Sequence, residues 1–177
     1  WVVSCSHKAK TGHEAAGYAA SKISVIPNGF DLNHLQPDAT ARSSVRDELG
    51  LPLDAPLVGL VARFDPQKNH LGFVQAAALI HTAIPTVHFV LAGKDIDASN
   101  IALQRAIAAH PGLAAHIHLL GRRDDVPRLM AAVDFCTSSS SFGEAFPNVL
   151  GEAMACGVPC VVTDVGDSAD IWATLAA

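Results

Sequence analysis

The chain has little charge and few aromatic residues: of 177 residues, 16% are charged and 6% aromatic, against 50% hydrophobic. A chain this apolar, with a formal net charge of only -5, is not an intrinsically disordered segment. Basic residues are also scarce. Twelve Lys and Arg against 17 Asp and Glu leave no basic face for a nucleic acid, so no nucleic-acid partner is expected. No apolar run approaches the ~20 residues of a membrane span. A G-x-G-x-x-G after a strand is missing, which argues against a nicotinamide-dinucleotide module. The G-x-S-x-G elbow is missing too, so the run Ser138–Ser141 is not read as holding a nucleophile. The four cysteines (Cys5, Cys136, Cys156 and Cys160) form no CxxC pair, and three lie in apolar segments. They read as buried thiols in a reducing, cytoplasmic setting rather than as a disulfide framework. The chain opens Trp1-Val2-Val3, without Met or the charged start of a signal peptide, and is expected to be a piece of something longer.

What is present is an alternating pattern. A chain of this length can bury roughly 70% of its unfolded surface, enough for a sizeable core. Short apolar runs without period-2 alternation occur at 57–62, 87–93, 118–121, 132–137 and 159–163. Such runs suit strands covered on both faces. Helical stretches separate them: 70–81 behind Asn69 as cap, 101–109 opened by Ser99, a third from Val126-Pro127 behind Asp124 or Asp125, and 149–156 behind Asn148. Five strands alternating with four helices predict an α/β fold, a Rossmann-like, doubly wound parallel sheet with right-handed crossovers. Upstream lie a strand over 1–5, a helix over 11–20 and a strand over 23–26. Pro27-Asn28-Gly29 reads as a turn with glycine free to take positive φ. The polar stretch 33–54 holds one short helix near 44–49. Residues 1–26 thus read as the end of a preceding unit, 27–37 as a linker and 38–177 as the main domain.

Ligands of such sheets sit beyond the carboxyl ends of the strands. After the run at 57–62 come Arg63 and Lys68, two cations at a strand end and a helix start. A guanidinium, an ammonium and a helix N-terminus together suit a diphosphate. After the run at 132–137 come Glu144 and, seven residues intervening, Glu152. Carboxylates accept hydrogen bonds from hydroxyls, and amides at the helix start between them can hold a phosphate. His116-x-His118 lacks carboxylate or cysteine company, and no metal site is expected there.

The segment Glu144-Ala145-Phe146-Pro147-Asn148-Val149-Leu150-Gly151-Glu152, continuing to Gly166, resembles the E-x7-E signature region of retaining GT-B glycosyltransferases of family 4. Val25-Ile26-Pro27-Asn28-Gly29-Phe30-Asp31 resembles that family's interdomain linker, and Arg63 through Asn69 its diphosphate site. Leu91-Ala92-Gly93 and Leu119-Leu120-Gly121-Arg122 match its strand ends in order, so the resemblance covers about residues 1–170. It implies one half of a GT-B fold, with residues 1–26 closing the acceptor domain and 38–177 forming an incomplete nucleotide-sugar-binding domain. It implies a donor diphosphate held by Arg63 and Lys68, which with Glu144 make the catalytic set. Glu144 would bind hydroxyls of the donor sugar and Glu152 the ribose. Backbone around Phe146, Pro147 and Asn148 would line sugar and phosphate, although Pro147 has no N–H. The loop Gly121-Arg122-Arg123 would cradle the base. The implied reaction is retaining hexosyl transfer from a UDP-, GDP- or ADP-sugar in bacterial polysaccharide or glycolipid synthesis, with no cofactor and no obligatory metal. A parent associated peripherally with a membrane is compatible with this. Asp95-Ile96-Asp97 spells the DxD of metal-dependent GT-A enzymes, but the surrounding element order is wrong for that fold, and it reads as a polar loop.

The sequence departs from the family pattern in four places. Ala145 stands where the family usually has Gly, Asp167 where a second Gly often follows Gly166, and residues 171–177 do not resemble the family's continuation. Nearly the whole acceptor domain is missing, so this chain alone is expected to bind donor and to transfer little sugar. The competing reading is a stand-alone nucleotide-binding or regulatory module without transferase activity.

Overall fold

The computed structural model describes residues 1–175, and side chains as far as 171. Among the described residues, seven strands and seven α-helices follow in chain order. They are β1 (Val2–Ser4), α1 (His7–Ala15), β2 (Ile23–Val25), α2 (Ala39–Glu48), β3 (Leu57–Val61), α3 (His70–Ala83), β4 (His88–Ala92), α4 (Ile101–Ala108), β5 (Ile117–Leu119), α5 (Val126–Ala132), β6 (Phe135–Ser138), α6 (Asn148–Ala155), β7 (Cys160–Val162) and α7 (Ser168–Leu175). The last five strands form one parallel sheet in the order β5-β4-β3-β6-β7. β1 and β2 pair in parallel with each other in a separate two-stranded sheet.

The main sheet is covered on both faces, which is why its strands read as continuous apolar runs. Along β4, Phe89 and Leu91 join a core with Phe73, Val74, Leu103 and Ile107 of α3 and α4. Val90 and Ala92 join a second core with Val45, Leu129, Met130 and Ala153 of α2, α5 and α6. One strand therefore feeds two cores with alternate residues, as the two-residue side-chain period requires. The chain steps outward from β3 through β4 to β5, then returns to the other side of β3 as β6 and β7. The carboxyl ends of β3 and β6 flank the switch point, where the loops that follow them diverge.

Several expected details differ. Asn100, not Ser99, caps α4: its Oδ1 accepts from the Leu103 amide at 3.1 Å, while the Ser99 hydroxyl donates to Asp97. Asp125 occupies the cap position of α5, but its carboxylate takes bonds from Arg123 and Arg128 instead of helix amides. Asn148 is the first helical residue of α6 and Pro147 holds the cap position. Helix α1 begins at His7, earlier than the apolar pattern suggested, because the Ser6 hydroxyl accepts from the Ala9 amide at 3.0 Å. Helix α2 likewise begins at Ala39 behind Asp38. Gly29 is not among the glycines with positive φ.

Beneath β3 a fully buried Arg46 anchors α2. It donates to the carbonyls of Ala132, Pro52 and Ala55 and to Asp134 Oδ2 at 2.9 Å. Burial works to raise the Asp134 pKa, yet the Leu57 amide, Arg42 and Arg46 together hold it below the usual carboxylate range.

Candidate functional site

A cavity of about 320 Å³ opens at the switch point, and Arg63, Lys68, Glu144, Phe146, Pro147 and Asn148 all line it. The first wall is the turn after β3. The Asp65 carboxylate caps it by accepting from the Gln67 amide at 2.9 Å. Asn69 then turns the chain into α3 in the left-handed region, φ 51, which Asn tolerates better than most residues. Its side chain accepts from the Gly72 amide at 3.2 Å. Arg63 is more than half exposed and touches Asp65 at 3.2 Å, so little fixes its guanidinium in place.

The second wall is the loop after β6, and it is laced to the first. Lys68 Nζ pairs with Glu144 Oε1, which also accepts from the Ser140 hydroxyl at 2.6 Å. Ser139 Oγ donates to the Lys68 carbonyl at 2.8 Å, and the Ser141 amide donates to the Gln67 carbonyl at 2.9 Å. The serine run is thus a set of donors that ties the two loops together. Its position directly behind a strand was the only hint the sequence offered. Gly143 takes the positive φ, 70, that the loop needs, and Ala145 does not, so alanine fits there without strain. Gly166, φ 62, brings the loop after β7 against the Glu144 backbone, where a Cβ would collide with the Glu144 carbonyl.

Helix α6 starts at the cavity's edge with Pro147, Asn148 and Val149; the Leu150 amide donates to the Pro147 carbonyl at 3.1 Å, and the Asn148 and Val149 amides have no carbonyl partner within the helix. Asn148 Oδ1 accepts from Asn28 Nδ2 at 2.6 Å, bringing the 27–37 segment to the same rim. Phe30 stacks on Phe146 at 6.3 Å between ring centroids.

Three of the residues singled out in the sequence lie outside this cavity lining. Glu152 is half-buried on α6, where burial raises its pKa, and no ion pair or side-chain hydrogen bond engages it among the described residues. Gly121 already commits its main chain: its amide donates to the Ile96 carbonyl at 2.6 Å, and its carbonyl accepts from Gly93 at 2.8 Å. The Arg122 side chain is exposed and lies 3.6 Å from Asp124. Its neighbour Arg123 turns away to Glu48 and Asp125.

His116 and His118 have company that their spacing did not reveal. The His116 ring lies 4.2 Å from that of His81 and 4.5 Å from that of His88, and His88 Nδ1 is 3.2 Å from His118 Nε2. Among the described residues, no three His, Cys, Asp or Glu are arranged to hold a metal ion. All four cysteines are free thiols. No helix of the described residues is long and apolar enough to cross a membrane.

Comparison with known proteins adds four findings. The family model for glycosyl transferases group 1 matches residues 55–174. The chain is 35% identical over 146 residues to the UDP-Gal:alpha-D-GlcNAc-diphosphoundecaprenol alpha-1,3-galactosyltransferase of Escherichia coli, across 81% of this chain and 37% of that protein. Among solved structures, Anabaena Alr3699/HepE in complex with UDP-glucose superposes with a TM-score of 0.86 at 32% identity, covering 96% of this chain and 46% of that one. WaaG, a glycosyltransferase involved in lipopolysaccharide biosynthesis, shares the fold with a TM-score of 0.81 at 18% identity. The chain spans less than half the length of these relatives.

Proposed function

The chain belongs to the glycosyl transferases group 1 family, and from that premise we propose that it is the donor-binding part of a family 4 enzyme that transfers a hexosyl group with retention of configuration. Its five-stranded sheet is the Rossmann-like half of a GT-B fold. In this reading residues 38–177 hold the nucleotide sugar, 27–37 link the domains, and 1–26 end the acceptor domain. One observation carries it: Arg63, Lys68 and Glu144 converge on one cavity although Lys68 and Glu144 stand 76 positions apart.

The charges suit the chemistry. Breaking a sugar–diphosphate bond loads negative charge onto the departing nucleotide. Arg63 can pair with it bidentately, Lys68 supplies a point charge, and the free amides of α6 add their dipoles. A diphosphate competes with Glu144 for Lys68. As Lys68 turns to the phosphates, Glu144 keeps its Ser140 bond and its other lone pairs can accept sugar hydroxyls. Glu152 offers an unengaged carboxylate to the ribose. The loop Gly121-Arg122-Arg123 cradles the base; the Gly121 amide is already committed to the Ile96 carbonyl, so contact there falls to the second lone pair of its carbonyl and to the backbone that follows. With Arg63 and Lys68 compensating the charge, the reaction needs no metal. The UDP-glucose held by the Anabaena relative favours a UDP-sugar donor, and the E. coli relative, named for transfer to a GlcNAc-diphosphoundecaprenol, favours work on a bacterial polysaccharide or glycolipid, which we place in the cytoplasm. The chain by itself binds donor and transfers little.

Calorimetric titration of UDP, GDP, ADP and UDP-glucose into the chain and into an Arg63→Ala/Lys68→Ala variant tests this. We expect saturable UDP binding that weakens at least about a hundredfold in the variant, since two charge-assisted bonds of ~1.5 kcal/mol or more each are lost. Equal binding by the variant, or no nucleotide binding at millimolar concentration, overturns the reading.

A further inference from the structure

Asp167, which stands where the family often has glycine, is 4% exposed and faces the other end of the chain. Its Oδ2 accepts from the His7 amide at 2.6 Å and its Oδ1 from the Lys8 amide at 2.8 Å. Those are the first two amides of α1, a helix with no acidic residue in its own first turn. Both would otherwise lack a partner, and a carboxylate at a helix N-terminus also meets the positive end of its dipole. The backbone of Asp167 points the other way in function: its amide donates to the Ala145 carbonyl at 3.2 Å. The preceding Gly166 packs so closely on the Glu144 carbonyl that no side chain fits between them. One residue therefore joins the amide end of α1 to the loop that carries Glu144.

We propose that Asp167 is a positioning residue for the donor sugar. Anchored on α1 by its carboxylate, it holds residues 166–167 against the Glu144–Ala145 backbone and so fixes where the Glu144 carboxylate meets the sugar. The proposal rests on the donor reading of the cavity above. It also separates two parts of the donor. The backbone of the diphosphate-side turn that carries Arg63 and Lys68 is held by Asp65, Ser139 and Ser141, none of which Asp167 touches, and the Lys68 side chain leaves Glu144 when it turns to phosphate. Loss of the anchor should therefore remove what the sugar adds to affinity and leave the nucleotide's own contribution in place.

The test uses wild-type chain, Asp167→Ala and Asp167→Asn, titrated with UDP and with UDP-glucose, alongside amide hydrogen exchange without ligand. In Asp167→Ala we expect UDP affinity within about twofold of wild type, UDP-glucose reduced to the affinity of UDP, and exchange of the residue-167 amide, which donates to the Ala145 carbonyl, faster by tenfold or more while β4 is unchanged. Asp167→Asn keeps one acceptor but sets an amide donor against the second helix N–H, so it should fall between the two. Wild type that binds neither probe overturns the donor reading and the proposal with it. Binding by wild type with the same UDP-glucose to UDP ratio in Asp167→Ala, or unchanged exchange of the residue-167 amide, overturns the positioning role alone.

Discussion

Alanine is the better helix former by about 1 kcal/mol, so on propensity alone Gly151→Ala in the body of α6 should stabilise the protein. Packing reverses the sign. A Cβ on Gly151 would stand well inside van der Waals contact of the Phe30 ring, which seats against the bare backbone of the helix. Phe30 belongs to the 27–37 segment and is half-buried, so it can yield, but only by leaving. Half the burial of a phenyl side chain is worth about 1–1.5 kcal/mol. The stack on Phe146 adds ~0.5–1.5 kcal/mol. Set against the propensity gain, the net effect is a destabilisation of about 0.5–2 kcal/mol, a fall of a few degrees in Tm for a domain this size. In a Phe30→Ala background the obstacle is gone, and the same Gly151→Ala change should stabilise by about 1 kcal/mol. Urea denaturation of the four proteins closes the cycle. Gly151→Ala that stabilises the wild-type background, or destabilises both backgrounds equally, would refute the argument that Phe30 is what the glycine accommodates.

Acid should weaken the fold before its carboxylates titrate. Burial lowers the His70 pKa from 6.5 to about 4, so between those values the unfolded chain takes up a proton that the folded chain refuses. The stability contribution is complete above about pH 6.5 and declines by about 3 kcal/mol as pH falls to about 4. His88 and His118, lowered first by burial and then by neighbouring histidines, act in the same direction. Glu152 opposes them weakly, since its raised pKa favours the fold as pH falls towards 4.5. Urea midpoints from pH 7 to 4.5 check this: a flat profile contradicts it, and a His70→Leu variant should show a shallower decline. Arg46→Met should cost about 3–5 kcal/mol by denaturant titration, because it strands Asp134 and buried carbonyls. Arg42→Ala, a third exposed at the same carboxylate, should cost about 1 kcal/mol or less.

The sheet was legible because β3 and β4 are continuous apolar runs that feed cores on both faces. The convergence of Arg63, Lys68 and Glu144 on one cavity was legible because a parallel sheet gathers its strand-end loops, wherever they lie in sequence. Helix starts were less so. Asn100 and Ser99 are adjacent and equally able to cap, and only the fold decides which carbonyl or hydroxyl is free. Residues 39–43 carry no apolar repeat, so the first turns of α2 left no trace beyond Asp38. The main-chain bonds of Gly121 to Ile96 and Gly93 were not legible for a different reason: main-chain commitments have no side-chain signature. The histidine cluster joins α3, β4 and β5, and no local spacing announces it.

The bonds between the two cavity walls also bear on how a ligand arrives. Ser139 and Ser141 hold the loops together with the cavity already open, so a nucleotide finds a formed receptor and has little chain left to order. Capture then proceeds as a simple encounter, its observed rate rising in proportion to ligand concentration without the plateau that a slow rearrangement imposes. The one exchange that remains is Lys68 passing from Glu144 to phosphate, a side-chain motion of picoseconds to nanoseconds that is too fast to limit capture. Differences in affinity between one nucleotide sugar and another are therefore written in how long each stays, not in how fast each is found.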